Sequence, residues 1–149
     1  MWNAKKSLLL SKICVVFFMV VLLICAVFAP RIVSRLMLMS LQAQIAGMTR
    51  FLVTVYLGAV PAAVLFVCML MLLGRIGQGR VFVTENTTCL RQISWCCFAC
   101  AVICFVSALY YIPWAAIGVA MAFVGLIVRV VKNVIAKAVE LQDEADFTV

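Results

Sequence analysis

The chain has 149 residues, 68% hydrophobic and 11% charged, with a mean hydropathy of +1.28; soluble domains carry about 25% charged residues, so composition excludes an ordinary soluble domain. The formal net charge of +7 does not indicate nucleic acid, because the Lys and Arg residues stand in twos and threes beside apolar blocks instead of forming a stripe. Histidine is absent, which removes any Ser, His and Asp set, and no glycine-rich phosphate loop is present.

Residues 13–30, 51–74 and 92–128 contain no charged side chain. A helix rises about 1.5 Å per residue and the hydrocarbon core is about 30 Å thick, so roughly 20 apolar residues suffice to cross. The third block is too long for one span and predicts two crossings joined by a tight turn at Pro113. The expected fold class is therefore all-α, a polytopic membrane protein forming one domain over residues 1–149. Its four transmembrane helices are expected at about 13–29, 51–73, 93–112 and 114–131, with a C-terminal cytoplasmic helical extension over about 129–145.

The first apolar run, 13–29, exceeds the usual h-region of about 7–15 residues, and Pro30 follows Ala29, so it reads as an uncleaved signal anchor. In Leu22-Leu23-Ile24-Cys25 the residue before the cysteine is not small, which argues against lipidation. Beyond it, Ile32, Val33, Leu36, Met37, Leu41, Ile45 and Met48 recur at near-helical spacing. The outer connector is expected to continue a helix or to lie flat on the outer leaflet.

In the second crossing Thr54, Gly58 and Ala62 recur every fourth residue, a pattern that lets another backbone approach closely. Pro61 lies among them as a membrane-helix proline whose freed carbonyl neighbouring helices can satisfy. The middle connector opens with the flexible Gly77-Gln78-Gly79 turn. Thr84 then has the character of an N-cap, with Glu85 at the first helical position, where a carboxylate complements the helix dipole. Asn86-Thr87-Thr88 matches a glycosylation acceptor, but on the cytoplasmic side it carries no information.

Eight cysteines raise the question of metal or redox chemistry. Cys96, Cys97, Cys100 and Cys104 crowd one helix, but ligands on one continuous helix do not readily surround a tetrahedral ion, and bare thiolates are disfavoured in hydrocarbon. No metal and no cofactor are expected. Packing explains the numbering better: Ile93, Cys97, Cys100, Cys104, Ser107 and Tyr111 alternate steps of four and three, a seam made largely of small residues. Ala115, Gly118, Ala122 and Gly125 form a second such seam in the fourth crossing, and the two are expected to meet as a close antiparallel hairpin. Tyr110, Tyr111 and Trp114 cluster at the turn between them, where amphipathic rings favour the headgroup region.

After the fourth crossing, Val128, Val131, Val134, Ile135, Ala138 and Leu141 form an apolar face, with Arg129, Lys132, Lys137, Glu140 and Asp143 around much of the rest. The basic half adjoins the membrane and the acidic tip points away from it. With four crossings, Lys5, Lys6, Lys12, Arg75, Arg80, Arg91, Arg129, Lys132 and Lys137 share one side, against Arg31, Arg35 and Arg50 on the other. The positive-inside rule then places both termini in the cytoplasm. Apart from Arg129 at the very end of the fourth, no span holds a charged acid or base, which argues against an enzyme or a proton-coupled transporter.

Two cytoplasmic segments carry a family resemblance. Gly79-Arg80-Val81-Phe82-Val83-Thr84-Glu85-Asn86, followed by Leu90-Arg91-Gln92-Ile93-Ser94-Trp95, resembles the G-x-x-F-x-x-E-N … L-R-x-I-x-W stretch of a bacterial family catalogued as domain of unknown function 2975. The ending Leu141-Gln142-Asp143-Glu144-Ala145-Asp146-Phe147-Thr148-Val149 is similar to that family's acidic terminus closing on D-x-T-V. The resemblance implies a four-span protein of the bacterial cytoplasmic membrane with no assigned activity, often encoded beside a small helix-turn-helix regulator. It suggests a non-enzymatic membrane partner that binds or sequesters such a regulator, with no direct nucleic-acid contact. Carried over by motif, the partner-binding or connector-pinning positions are Phe82, Glu85, Asn86, Arg91, Trp95, Asp146 and Thr148, which would cap helices and hold the connector against the C-terminal helix. The alternative is a small-molecule transporter, exporter subunit or immunity membrane protein, with a redox sensor third; self-association as a homo-oligomer is compatible with each.

Overall fold

The computed structural model describes residues 4–147. Five helices follow in order: α1 (Ala4–Met39), α2 (Leu41–Ala46), α3 (Met48–Gly77), α4 (Thr84–Ala108) and α5 (Pro113–Phe147). Among the described residues there is no strand. All but α2 are long and apolar enough to cross a membrane, so the chain is an all-α membrane protein.

Local sequence explains each reversal. α1 runs unbroken through Pro30 to Met39, so the connector continues the first helix instead of lying flat from Pro30 onward. Ser40 stops it: its backbone is extended and its Oγ accepts the Ala43 N–H at 3.4 Å, which starts α2. Gly47, at φ +85°, then turns the chain directly into α3, a conformation that side-chain-bearing residues rarely adopt. Pro61 sits within α3 without ending it. The α4–α5 turn begins at Leu109, not after residue 112, because the Tyr110 and Tyr111 N–H groups both close on the Ser107 carbonyl at 3.2 Å. Pro113 opens α5 at the first helical position, where its missing N–H costs no helical hydrogen bond.

These reversals give the bundle two ends. The hairpin side holds α2 and the α4–α5 turn; the terminal side holds the start of α1, the α3–α4 connector and the far end of α5. The helices do not close into a ring. α4 packs on both α3 and α5, α3 also packs on α1, and the backbones of α1 and α5 do not meet. On the hairpin side Phe51, 1% exposed, is the centre of a cluster with Val33, Ala43 and Ala46. The rings of Tyr110, Tyr111 and Trp114 stand 5.3, 5.2 and 6.4 Å from it. Toward the terminal side, Cys68, Leu72, Leu90, Ile93 and Cys97 form the second core, against which Val128 and Ile135 of α5 pack. α5 has 35 residues and so spans about 52 Å, well beyond a hydrocarbon core of about 30 Å.

Candidate functional site

The terminal side concentrates the polar detail of the molecule, beginning with the α3–α4 connector. Asn86 is 1% exposed, and its Nδ2 donates to the carbonyls of Arg80 at 2.8 Å and Val81 at 2.9 Å. One amide thus ties the connector to the first turn of α4. The helix starts one residue earlier than Thr84 as N-cap would require. Val83 is the cap, with extended backbone and no side-chain bond, and Thr84 is already helical, its carbonyl accepting from the Thr87 and Thr88 hydroxyls at 2.7 and 3.3 Å. The reason is that Asn86 organises this end through the connector carbonyls, so the Thr84 hydroxyl is not needed to do so. Arg75 closes the same corner from α3, donating to the Glu85 carbonyl at 3.3 Å and to Cys89 Sγ at 3.1 Å. Glu85 faces Arg80 at 3.9 Å with both side chains more than half exposed, a weak pair. Phe82 is 52% exposed.

Beside the connector, α4 and α5 form a groove. Arg91 and Trp95 come from α4, Arg129 and Lys132 from α5, and they line two adjoining depressions. One, of about 110 Å³, is shared with Thr87, Thr88 and Ala136; the other, of about 50 Å³, with Ser94. The helices approach closely here because Ser94 Oγ donates to the Gly125 carbonyl at 3.0 Å. Beyond the groove, α5 projects with Ile135 turned to the core while Val134, Leu141 and Phe147 are exposed. Lys137 pairs with Glu140 at 2.9 Å, and Asp143 and Glu144 follow. Asp146 belongs to α5, its side chain outside those described, and Thr148 lies outside the described residues.

α4 and α5 pack closely as an antiparallel hairpin in which Cys97 meets Gly125, but the two small-residue seams are in contact over only part of their length. Cys97, Cys100, Cys104 and Ser107 are all buried, but Cys100 Sγ points to the Gly58 carbonyl of α3 at 3.8 Å and Ser107 Oγ bonds Thr54 of α3 at 2.8 Å. Gly118 instead packs on Ala101 and Phe105, and Gly125 on Cys97 and Phe98. Ala115 and Ala122, partly exposed, belong to the same helix surface of α5. α4 lies between two helices, so its small residues are divided between them, with Cys97 packed against both Cys68 and Leu72 of α3 and Gly125 of α5.

The Thr54, Gly58 and Ala62 row also behaves differently from its expected role. Nothing lies within 4 Å of where a Cβ on Gly58 would stand. Gly58 and Ala62 instead line an apolar cavity of about 330 Å³, to which α1 contributes Leu22 and Cys25, α4 Cys100 and Cys104, and α5 Trp114 and Met121. The cavity opens where α1 and α5 flank the α3–α4 pair with their backbones apart. Next to it, Thr54 Oγ1 joins Ser107 and the Tyr110 hydroxyl, and that hydroxyl donates on to the Arg50 carbonyl at 3.3 Å. Nothing in the spacing of Thr54, Ser107 and Tyr110 signals this network, since it joins α3 to the end of α4 and the turn that follows, more than 50 residues away in the chain. Arg129 and Lys132 were legible as topology-setting cations, but not as neighbours of Arg91.

Fold and polar end together define a four-helix membrane protein with a structured connector and a projecting final helix. Residues 48–149 match the family model described as "Protein of unknown function (DUF2975)", and the chain belongs to that family. The matched span holds α3, α4 and α5, with the connector and the groove, while α1 and α2 precede it. No curated protein and no solved structure matches the chain.

Proposed function

We propose that this protein is a non-enzymatic docking protein of the bacterial cytoplasmic membrane, with both termini in the cytoplasm, that binds and sequesters a cytoplasmic protein such as a small helix-turn-helix regulator. The observation that carries this reading is the projecting end of α5. It exposes Leu141 and Phe147 beyond the packed part of the bundle, beside Glu140, Asp143 and Glu144, with Val134 exposed two turns before Leu141. Apolar anchors ringed by carboxylates suit a partner with a basic, partly apolar surface. A DNA-binding regulator has a basic surface by necessity, because it must neutralise phosphates. Docking on an acidic helix would compete with DNA for that surface. The excess of Lys and Arg on the terminal side supports the cytoplasmic orientation, and the association of family members with such regulators supports the class of partner.

The test is co-purification of the full-length protein with the regulator encoded beside it, against a chain truncated after Lys137. Loss of recovery with the truncated chain is expected; equal recovery would remove the α5 tip from the interface. Reporter fusions that place the C-terminus outside the cytoplasm would overturn the orientation and with it the partner. One observation favours a second reading, capture or passage of a small apolar molecule: the cavity of about 330 Å³ bordered by all four long helices. Substrate-dependent flux in reconstituted vesicles, abolished by Gly58→Leu, would favour it.

A further inference from the structure

We propose that the α4–α5 groove formed by Arg91, Trp95, Arg129 and Lys132 is a binding site for the phosphates of an anionic glycerophospholipid in the leaflet on the terminal side. Arg91 and Lys132 line both depressions, and Arg129 joins them in the smaller one, so cations from two helices are crowded into one groove. On this side two other cations have carboxylate partners, Arg80 facing Glu85 and Lys137 pairing with Glu140, while Arg75 donates to the Glu85 carbonyl and Cys89 Sγ. Arg91, Arg129 and Lys132 form no salt bridge among the described residues. Like charges held together without a carboxylate are stabilised by an anion brought from outside the chain.

Depth and size identify the anion's source. Arg129 is the first charged residue after the block 92–128, so the groove lies where the hydrocarbon ends. Trp95 is 62% exposed one turn further in, on the same helix as the exposed Val102 and Val106; an indole at that depth sits at headgroup level. Depressions of about 110 and 50 Å³ accept phosphate groups but not a folded peptide or a nucleotide. The Thr87, Thr88 and Ser94 hydroxyls already donate to carbonyls, so the guanidinium and ammonium groups and the indole N–H are the donors left for the ligand. Two depressions that share Arg91 and Lys132 favour a headgroup with two phosphates, and basic pockets between membrane helices are suited to such lipids. This inference rests on the groove alone and stands whether or not α5 docks a protein.

The experiment uses the delipidated full-length protein in detergent, with binding of diphosphatidylglycerol, phosphatidylglycerol and phosphatidylcholine followed by native mass spectrometry. Diphosphatidylglycerol is expected to bind tightest and phosphatidylcholine weakest. Each cation removed should weaken anionic-lipid binding about fivefold, so R91Q/R129Q/K132Q should lose about a hundredfold. R31Q/R35Q, which removes cations from the hairpin side, should bind as the native chain does. If the triple variant does not fold, K132Q alone carries the test through its expected fivefold loss, with R91K/R129K retaining binding because the charge is kept. Undiminished lipid binding by the foldable variants would overturn the assignment. So would displacement of the lipid by equimolar inorganic phosphate or pyrophosphate, which would mark a site for free anions.

Discussion

α1 carries the most apolar window of the four long helices, yet only 11% of that window is buried; α4 carries the least apolar one and buries 44% of it. In water the ranking would be reversed. A bilayer solvates Leu and Ile as well as a protein interior does, so helix contacts there are selected for close approach and hydrogen bonding. α1 accordingly turns Leu9, Phe17, Leu23 and Val27 outward, while α4 buries Asn86, Ser94, Ser107 and a row of cysteines. The consequence for function is that α1 marks where lipid is, and α4 positions both the connector and the basic groove.

The sharpest way to break this contrast is to put bulk into the α4–α5 contact. Gly125→Leu should destabilise the protein by about 3 kcal/mol, since even a Cβ at that position would stand 3.1 Å from Cys97 Cβ. Thermal unfolding in detergent measures it. Gly58→Ala is the counterpart: the space is open, and the change should leave stability equal or higher by up to about 1 kcal/mol. Next in size, Asn86→Ala removes both hydrogen bonds to the connector and should cost about 2 kcal/mol, with faster proteolysis and hydrogen exchange at residues 78–83. Thr54→Val, which breaks the link to Ser107 and Tyr110, should cost only about 0.6 kcal/mol, because polar contacts between membrane helices are individually modest. Smallest of all, Ile24→Ala in α1, at a position 52% exposed, should change stability by less than about 0.5 kcal/mol. A cost there comparable with Gly125→Leu would mean that α1 packs against something in the membrane, and the contrast with α4 would fail.

Much of the architecture was legible because exclusion of charge from hydrocarbon is a strong, local and additive effect. It placed four crossings and the hairpin at Pro113, and the periodicity after residue 128 announced the extended α5. The DUF2975 motifs were legible too, and the family match covers both. Helix ends were less so: Thr84 has a capping side chain, but the end is organised by Asn86, whose carbonyl partners at Arg80 and Val81 are placed only once the connector folds back. The small-residue seams were visible as patterns, while their partners were not. A row such as Thr54, Gly58 and Ala62 permits close approach without compelling it, and here α1 and α5 stand apart and leave a cavity.

By itself, the sequence determined the helical class, the membrane setting and the side on which polar information gathers, because each depends on the solvent that a segment can tolerate. The tertiary structure decided which helix became central, and it brought Arg91 beside Arg129 and Lys132. Those outcomes depend on the register of antiparallel helices, set by where a Ser94 hydroxyl finds the Gly125 carbonyl and where glycine lets Cys97 and Phe98 approach. Such contacts join residues far apart in the chain, and no pattern within one segment encodes them.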